Sequence, residues 1–186
     1  MAGTRAAAGK VKAELGGTIT LALDASSTGT SSNTISHSIS RSFTTGTTAA
    51  KADRIWHDKG RTLIQSGTED LDLYDLAAFD TGAGAGLDAL GQDWVCVDVV
   101  GLLIHNNASS AGNLVVGNKN GVTAWNSLFN ASDTGAIVLG PDAFFLYYNP
   151  ANPAAVVADS TNHILTFTEN GTGAVTFDVT VVGRSA

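Results

Sequence analysis

The side chains best suited to catalysis or metal binding are few in this chain of 186 residues, and they are widely spaced. The only cysteine, Cys96, lies inside an apolar stretch, where a buried and unreactive thiol is the usual state. A single cysteine cannot form an internal disulfide, so cysteine usage does not support secretion.

The histidines form no closely spaced pair of the His-x-His or His-x₃-His kind. A metal site would therefore need the fold, or the symmetry axis of an oligomer, to bring several imidazoles together. Otherwise each histidine is expected to form local hydrogen bonds in a strand or loop. The four residues are His37, His57, His105 and His163.

The motifs of common nucleophilic and nucleotide-binding sites are missing. No Gly-x-Ser-x-Gly elbow occurs. The glycine-rich segment 82–86 lacks the third glycine of a dinucleotide-binding loop, because Leu87 stands in its place, and no parallel-type strand precedes it. Gly9-Lys10 is followed by Val11 and not by the Ser or Thr of a phosphate loop. We therefore expect no enzymatic activity and no cofactor.

Carboxylates offer two further possibilities. The acidic run 69–75 has oxygen ligands that could bind calcium, but it lacks the glycine and closing glutamate of an EF-hand, and a solvated strand face explains its alternation.

Asp98 lies in the middle of an apolar strand, where an unpaired carboxylate would be costly. It must pair with Arg54, Arg61 or Arg184, or face an interface. A carboxylate pair for glycoside hydrolysis stays an open, lower-ranked alternative.

The stretch 33–46, NTISHSISRSFTTG, predicts which kind of secondary structure carries the side chains of this chain. Its bulky side chains are Ile35, His37, Ile39, Arg41 and Phe43, and its serines are Ser36, Ser38, Ser40 and Ser42. Because successive side chains of a strand point to opposite faces, the pattern predicts a strand with one bulky face and one hydroxyl face. A flexible linker has no reason to alternate.

Short alternating segments recur along the whole chain, separated by Gly, Asn and Asp. They predict about ten strands and an all-β fold, a β-sandwich of jelly-roll-like kind. Two hairpins are predicted, one turning at 58–60 and one at Asn170-Gly171, between strands at 164–168 and 175–182. Residues 1–15 are interpreted as an extended N-terminal arm, and residues 16–186 as a single β-sandwich domain.

Charge is unevenly distributed. Residues 1–54 contain six Lys and Arg against three Asp and Glu, whereas residues 55–186 contain four against fourteen. The acidic body would be repelled by phosphate backbones, so no nucleic-acid partner is expected. No apolar run is long enough to span a bilayer, so no membrane partner is expected either. The basic N-terminal region suits an acidic protein surface.

Two segments of the chain carry recognisable motifs, KADRIWHDKGRTLIQSGTEDLDLYDL at 51–76 and GAVTFDVTVVGRSA at 173–186. The motifs are an Ala-Asp-x-x-aromatic-x-Asp segment, Arg-Thr-Leu, Glu-Asp-Leu-Asp-Leu, an apolar strand that ends in Asn-Asn, and a closing Thr-Phe-Asp-Val strand. In these features the chain resembles small structural proteins encoded in the head modules of tailed bacteriophages, among them capsid cement or decoration proteins. The resemblance covers about residues 16–186.

The resemblance implies a non-enzymatic virion protein that decorates the capsid exterior and binds the major capsid protein. It also implies a homo-oligomer, which we expect to be a trimer. From their charge, the residues expected to dock on the capsid are Arg5, Lys10, Lys12, Arg41 and Arg54. The residues expected to anchor the interface are Phe43, Trp56 and Trp94.

Two other functions are compatible with the sequence. The first is a tail, baseplate or fibre component of the same virion, although the internal repeats of long fibres are missing. The second is a carbohydrate-binding module, which would need exposed aromatic residues in a groove; the chain has three Trp and three Tyr.

Overall fold

The computed structural model describes residues 9–22, 30–76, 93–117, 121, 123–129 and 135–185; within 9–43 it describes the side chains of 10–15 and 36–43. All regular secondary structure in these ranges is β-strand, which confirms the predicted all-β class. The strands are β1 (Gly9–Ala22), β2 (Thr30–Thr45), β3 (Lys51–Ala52), β4 (Arg54–Leu63), β5 (Thr68–Asp72), β6 (Asp98–Asn106), β7 (Leu114–Gly117), β8 (Ala136–Leu139), β9 (Phe144–Tyr148), β10 (Ala155–Val156), β11 (Ile164–Glu169) and β12 (Val175–Arg184). Across the described ranges, no helix is long and apolar enough to cross a membrane.

The chain divides into two compact units. One unit is Gly9–Phe43, which we call the ribbon, and the other contains Thr44–Ala186, which we call the body. In the ribbon, β1 pairs with β2 in antiparallel register from Gly9↔Phe43 to Ala22↔Thr30. The predicted arm at 1–15 is therefore not confirmed. Residues 9–15 are the first half of β1, and residues 1–8 lie outside the described part.

The body contains two antiparallel sheets. The five-stranded sheet has the order β10-β6-β12-β4, with β9 also paired to β6, and the four-stranded sheet has the order β5-β11-β7-β8. A short parallel pair joins the last residues of β2, Thr44 and Thr45, to β3. Antiparallel neighbours with one buried face account for the alternating burial in the first part of β12, from Val175 to Thr180.

Both sheets of the body contribute to one hydrophobic core. The rings of Phe167 on β11 and Phe177 on β12 stack with their centroids 4.9 Å apart, and both residues are fully buried. Burial of each such ring contributes roughly 1.5–3 kcal/mol relative to exposure. The core includes Trp56, Leu71, Leu73, Trp94, Leu102, Ile104, Leu114, Val116, Trp125, Leu165, Phe167, Val175, Phe177, Val179 and Val181.

The predicted hairpin through Asn170-Gly171 is wrong in its pairing, although both strands exist. β11 pairs with β5 and β7, whereas β12 pairs with β4 and β6, so the segment carries the chain from one sheet to the other. In the connecting segment, the carboxylate of Glu169 accepts hydrogen bonds from the backbone N–H groups of 171, 172 and 173 and holds the chain in a loop.

The predicted turn at 58–60 is also wrong, because β4 continues through it. Opposite this point the register with β12 shifts from Asp58↔Val179 to Arg61↔Phe177, which leaves an extra residue on β4. The chain thus forms a β-bulge, in which Gly60 has a φ of 71°. Its N–H donates to Asp178 Oδ1 at 2.8 Å.

Asp98 pairs with Arg184, one of the three partners that the sequence predicts. Arg184 Nη2 lies 2.5 Å from Asp98 Oδ2, and both side chains are buried, although this contact is an ion pair without the alignment of a hydrogen bond. Asp98 also accepts a hydrogen bond from the N–H of Ala154, and Arg184 donates to the carbonyls of Thr48 and Ala151. The pair therefore links the start of β6 and the end of β12 to the segments at Thr48 and 151–154.

Cys96 is fully buried, as the sequence indicates. Burial raises the pKa of its thiol to about 12, while hydrogen bonds to backbone groups oppose the rise. Since the thiolate is the reactive form, this side chain is inert at neutral pH.

Candidate docking surface

The register of the ribbon sorts its side chains into two faces. Residues directly opposite one another in an antiparallel pair lie on the same face. One face, the serine face, holds Lys10, Lys12, Glu14, Ser38, Ser40 and Ser42. The other, the bulky face, holds Val11, Ala13, Leu15, His37, Ile39 and Arg41. The hydroxyl face predicted for β2 is therefore continued on β1 by charged side chains, Lys10, Lys12 and Glu14, and not by hydroxyls.

Both faces of the ribbon are open over residues 10–15 and 36–42, whereas Phe43 at its end is buried. Among the side chains described at 10–15 and 36–42, all are exposed except the half-buried Val11. On the bulky face, Leu15 is 80% exposed and Ile39 is 46% exposed. A two-stranded ribbon without a packed face is only marginally stable in water, so these apolar side chains are suited to a partner.

The cations of the ribbon divide between its two faces. Lys10 and Lys12 lie on the serine face, where Lys12 Nζ is 2.5 Å from Glu14 Oε2, and Arg41 lies on the bulky face. An exposed ion pair of this kind contributes only about 0–1 kcal/mol. The ribbon contains three cationic residues against Glu14 and Asp24, so it is weakly basic, whereas the body carries the negative charge of the chain.

The other two predicted docking cations are not part of this surface. Arg54 belongs to β4 of the body and is largely buried; it forms an ion pair with Asp53 and donates to the carbonyl of Val95. These contacts leave little of its guanidinium for a partner. Arg5 lies outside the described residues.

The aromatic residues predicted as interface anchors are buried. Trp94 is 1% exposed, Trp56 is 3% exposed and Phe43 is 4% exposed. Trp56 and Trp94 belong to the core of the body, and the indole N–H of Trp94 donates to the carbonyl of Leu73 at 3.0 Å. Their assignment as anchors is corrected on this ground, since a side chain without exposed surface cannot contact a partner.

A second accessible surface was missed by the sequence reasoning. β9, with the sequence FFLYY, pairs with β6 alone among the described strands, and its Phe144 is 65% exposed. The available signal was five consecutive large apolar residues with no charge. That pattern is typical of a strand covered on both faces, and it does not reveal whether the strand has neighbours on both edges.

The acidic run and two of the histidines, His105 and His163, have local partners in the body. Glu69 pairs with Arg61, and Asp70 accepts a hydrogen bond from the Thr166 hydroxyl at 2.6 Å. Asp72 Oδ2 lies 2.9 Å from His163 Nδ1. These contacts favour a structural role for the acidic side chains over a calcium site.

The Asp72–His163 pair does not continue into a catalytic triad. The other ring nitrogen of His163, Nε2, is buried, and no described hydroxyl or thiol bonds to it. In the described part of the chain, no group of three or more His, Cys, Asp or Glu side chains could hold a metal ion.

Comparisons with protein-family models, with curated proteins and with solved structures each found no match to this chain.

Proposed function

We propose that this protein is a non-enzymatic structural component of a tailed-phage virion. In this proposal it decorates the outside of the capsid, binds the major capsid protein and docks through the ribbon. The observation that carries the docking role is that the side chains of 10–15 and 36–42, on both faces of the ribbon, are open to solvent apart from the half-buried Val11, with Leu15 80% exposed. The assignment to a virion comes from the resemblance of 51–76 and 173–186 to head-module proteins.

The chemistry of the ribbon fits a large, shape-matched contact. Serine hydroxyls can exchange water for partner hydrogen bonds without the desolvation cost of buried charge. Leu15 and Ile39 supply apolar area, and Lys10, Lys12 and Arg41 favour an acidic partner surface. Complementary charge of this kind mainly increases the association rate and the specificity.

The effect of decoration would be thermodynamic. A protein that binds the assembled lattice, and not its separate subunits, stabilises the assembled state by mass action. At a free concentration one hundred times the dissociation constant, each site contributes about 2.7 kcal/mol. Many such sites would help a shell to resist internal pressure.

We further propose that the body is a β-sandwich of jelly-roll-like kind. Its two antiparallel sheets share one core, and the stacked rings of Phe167 and Phe177 come one from each sheet. The loop after Glu169, which leads from one sheet to the other, is typical of such folds.

Of the alternatives, a tail, baseplate or fibre component would use the ribbon in the same way, and only copy number separates it from a capsid protein. A carbohydrate-binding module receives less support. Its aromatic platform would need exposed rings, yet Trp56, Trp94 and Trp125 are all buried.

Quantitative mass spectrometry of purified virions tests the proposal. Hundreds of copies per particle are expected for a capsid decoration protein, and a handful would indicate the tail. Absence from purified particles would overturn the virion assignment altogether.

A charge-reversal variant tests the ribbon. We expect Lys10→Glu combined with Arg41→Glu to lower capsid occupancy and to weaken its dependence on salt, because both cations are exposed on the ribbon. The matched control is Lys51→Glu combined with Lys59→Glu, which makes the same charge change at exposed positions of the body. Equal occupancy of the two variants would contradict docking through the ribbon.

A further inference from the structure

The backbone of β9 is bonded along one edge to β6, and along its other edge it pairs with no strand of the described residues. At its two ends the ladder with β6 has hydrogen bonds from Asn106 N to Ala143 O and from Asn149 N to Val100 O, both 2.9 Å long. Hydrogen-bonded residues alternate along an antiparallel strand, so the residues of β9 that bond β6 are the odd-numbered ones. The N–H and C=O groups of Phe144, Leu146 and Tyr148 therefore point away from β6.

These outward groups have no hydrogen-bond partner in the described part of the chain. An open, uncharged and apolar strand edge is a template for pairing with another chain unless something covers it. Phe144 is 65% exposed and Leu103, the neighbour of Leu146 on β6, is 40% exposed. The edge and the sheet face beside it thus both offer surface to a partner.

The sequence of β9 is complementary to itself when reversed. In an antiparallel contact centred on Leu146, Phe144 faces Tyr148 of the second copy, Phe145 faces its Tyr147, and the two Leu146 residues face each other. The residues whose backbone groups point outward, 144, 146 and 148, then oppose one another in this register. Each pair can exchange two hydrogen bonds and add an aromatic or aliphatic cross-strand contact.

Charge also permits this register. β9 contains no ionisable group other than two tyrosines, and the nearest carboxylate, Asp142, would face the uncharged Pro150 of the other copy. No like charges are therefore opposed, although the body as a whole is acidic.

We propose that β9 is a two-fold interface, through which two copies of this chain join their five-stranded sheets edge to edge. The contact is isologous, so it closes as a dimer, whereas the resemblance to decoration proteins implied a trimer. It does not depend on the proposed virion function.

A charge-swap experiment at the two-fold axis tests this interface. Molar mass is measured by light scattering over a series of protein concentrations for the full chain, Leu146→Lys and Leu146→Glu. The full chain is expected to be dimeric, and each variant to lose the dimer because like charges meet at residue 146. Mixing the two variants is expected to restore a dimer, identified as a heterodimer by native mass spectrometry. The control is Val138→Lys, at an exposed position of β8 on the edge of the other sheet, and it should remain dimeric.

A monomeric or trimeric full chain, or a dimer that survives in Leu146→Lys alone, would overturn the proposal. If circular dichroism shows that the charged variants do not fold, Leu146→Pro replaces them, since this N–H does not serve the bond to β6. Loss of the dimer in that variant supports the interface, and its persistence overturns it. The copy number in virions is a separate measurement, so this interface and the proposed function can fail independently.

Discussion

Glu169 shows how one carboxylate can organise a connection between sheets. Its two oxygens accept hydrogen bonds from the backbone N–H groups of Ser66, Gly171, Thr172 and Gly173, at 2.5–3.1 Å. The space around it is tight, because a Cβ added at Gly112 would lie 2.4 Å from Oε1. The ionised carboxylate of Glu169 accepts all four of these hydrogen bonds, so the loop after β11 depends on the ionised form of this side chain.

The pH dependence of stability should reveal this role. The hydrogen bond from Ser66 above all, together with those from residues 171–173, lowers the pKa of Glu169 to about 2 from the ordinary value of 4.5, against the opposing effect of desolvation. Because the folded-state pKa is the lower one, the stabilisation is complete above pH 4.5 and is lost as the pH falls towards 2. Glu169→Gln should therefore lower the melting temperature at neutral pH and flatten its decline between pH 4.5 and 2.

The control for this prediction is Asp159→Asn, the same carboxylate-to-amide change in an exposed turn. It should keep the acid dependence of the original chain when melting is followed by circular dichroism. An unchanged slope in Glu169→Gln would show that the backbone donors do not depend on the charge.

At the scale of the strand, the backbone conformation of Gly60 allows β4 to form a bulge and to continue beyond it. Its φ of 71° belongs to the left-handed region, which favours glycine, and this conformation presents its N–H to Asp178. No atom lies within 4 Å of a Cβ added at this position, so a substitution changes the backbone energy without a clash.

Gly60→Ala is therefore expected to lower the free energy of unfolding by about 1–2 kcal/mol, the cost of the left-handed conformation for a residue with a Cβ. Gly60→Asn should cost less, because Asn adopts this conformation more readily. Urea denaturation measures both. Lys59→Ala, an exposed neighbour, should stay within about 0.5 kcal/mol of the original chain. Equal losses in the Ala and Asn variants would contradict a backbone origin.

At the scale of the molecule, the ribbon and the body differ in what stabilises them. Among the described residues, the hydrophobic core cluster lies between Trp56 and Val181, within the body. The ribbon has cross-strand hydrogen bonds, but both its faces are open over residues 10–15 and 36–42, which is marginal for a two-stranded element alone.

The fragment 44–186 should consequently fold without the ribbon. We expect cooperative thermal unfolding with a melting temperature within about 4 °C of that of the full chain, the shift that 1 kcal/mol produces in a domain of this size. A peptide of residues 9–43 should be largely unstructured by circular dichroism. A fragment that melts without cooperativity would show that the body requires the ribbon.

The sequence by itself determined the properties that depend on neighbouring residues. Alternation with period two identified the strands β2, β5, β11 and β12, and with them the all-β class, because successive side chains of a strand point to opposite faces whichever strand it pairs with. The cost of a buried, unpaired carboxylate was enough to predict an arginine partner for Asp98.

Only the tertiary structure decided which strands are neighbours and which surfaces remain open. The segment Asn170-Gly171 could close a hairpin or cross between sheets, and the contacts of Glu169 select the crossing. Trp56 and Trp94 could have served a core or an interface, because an indole is equally apolar in both. β9 has the composition of a central strand yet pairs on one edge only among the described strands. Strand pairing and burial depend on residues far apart in the chain, and local periodicity carries no information about them.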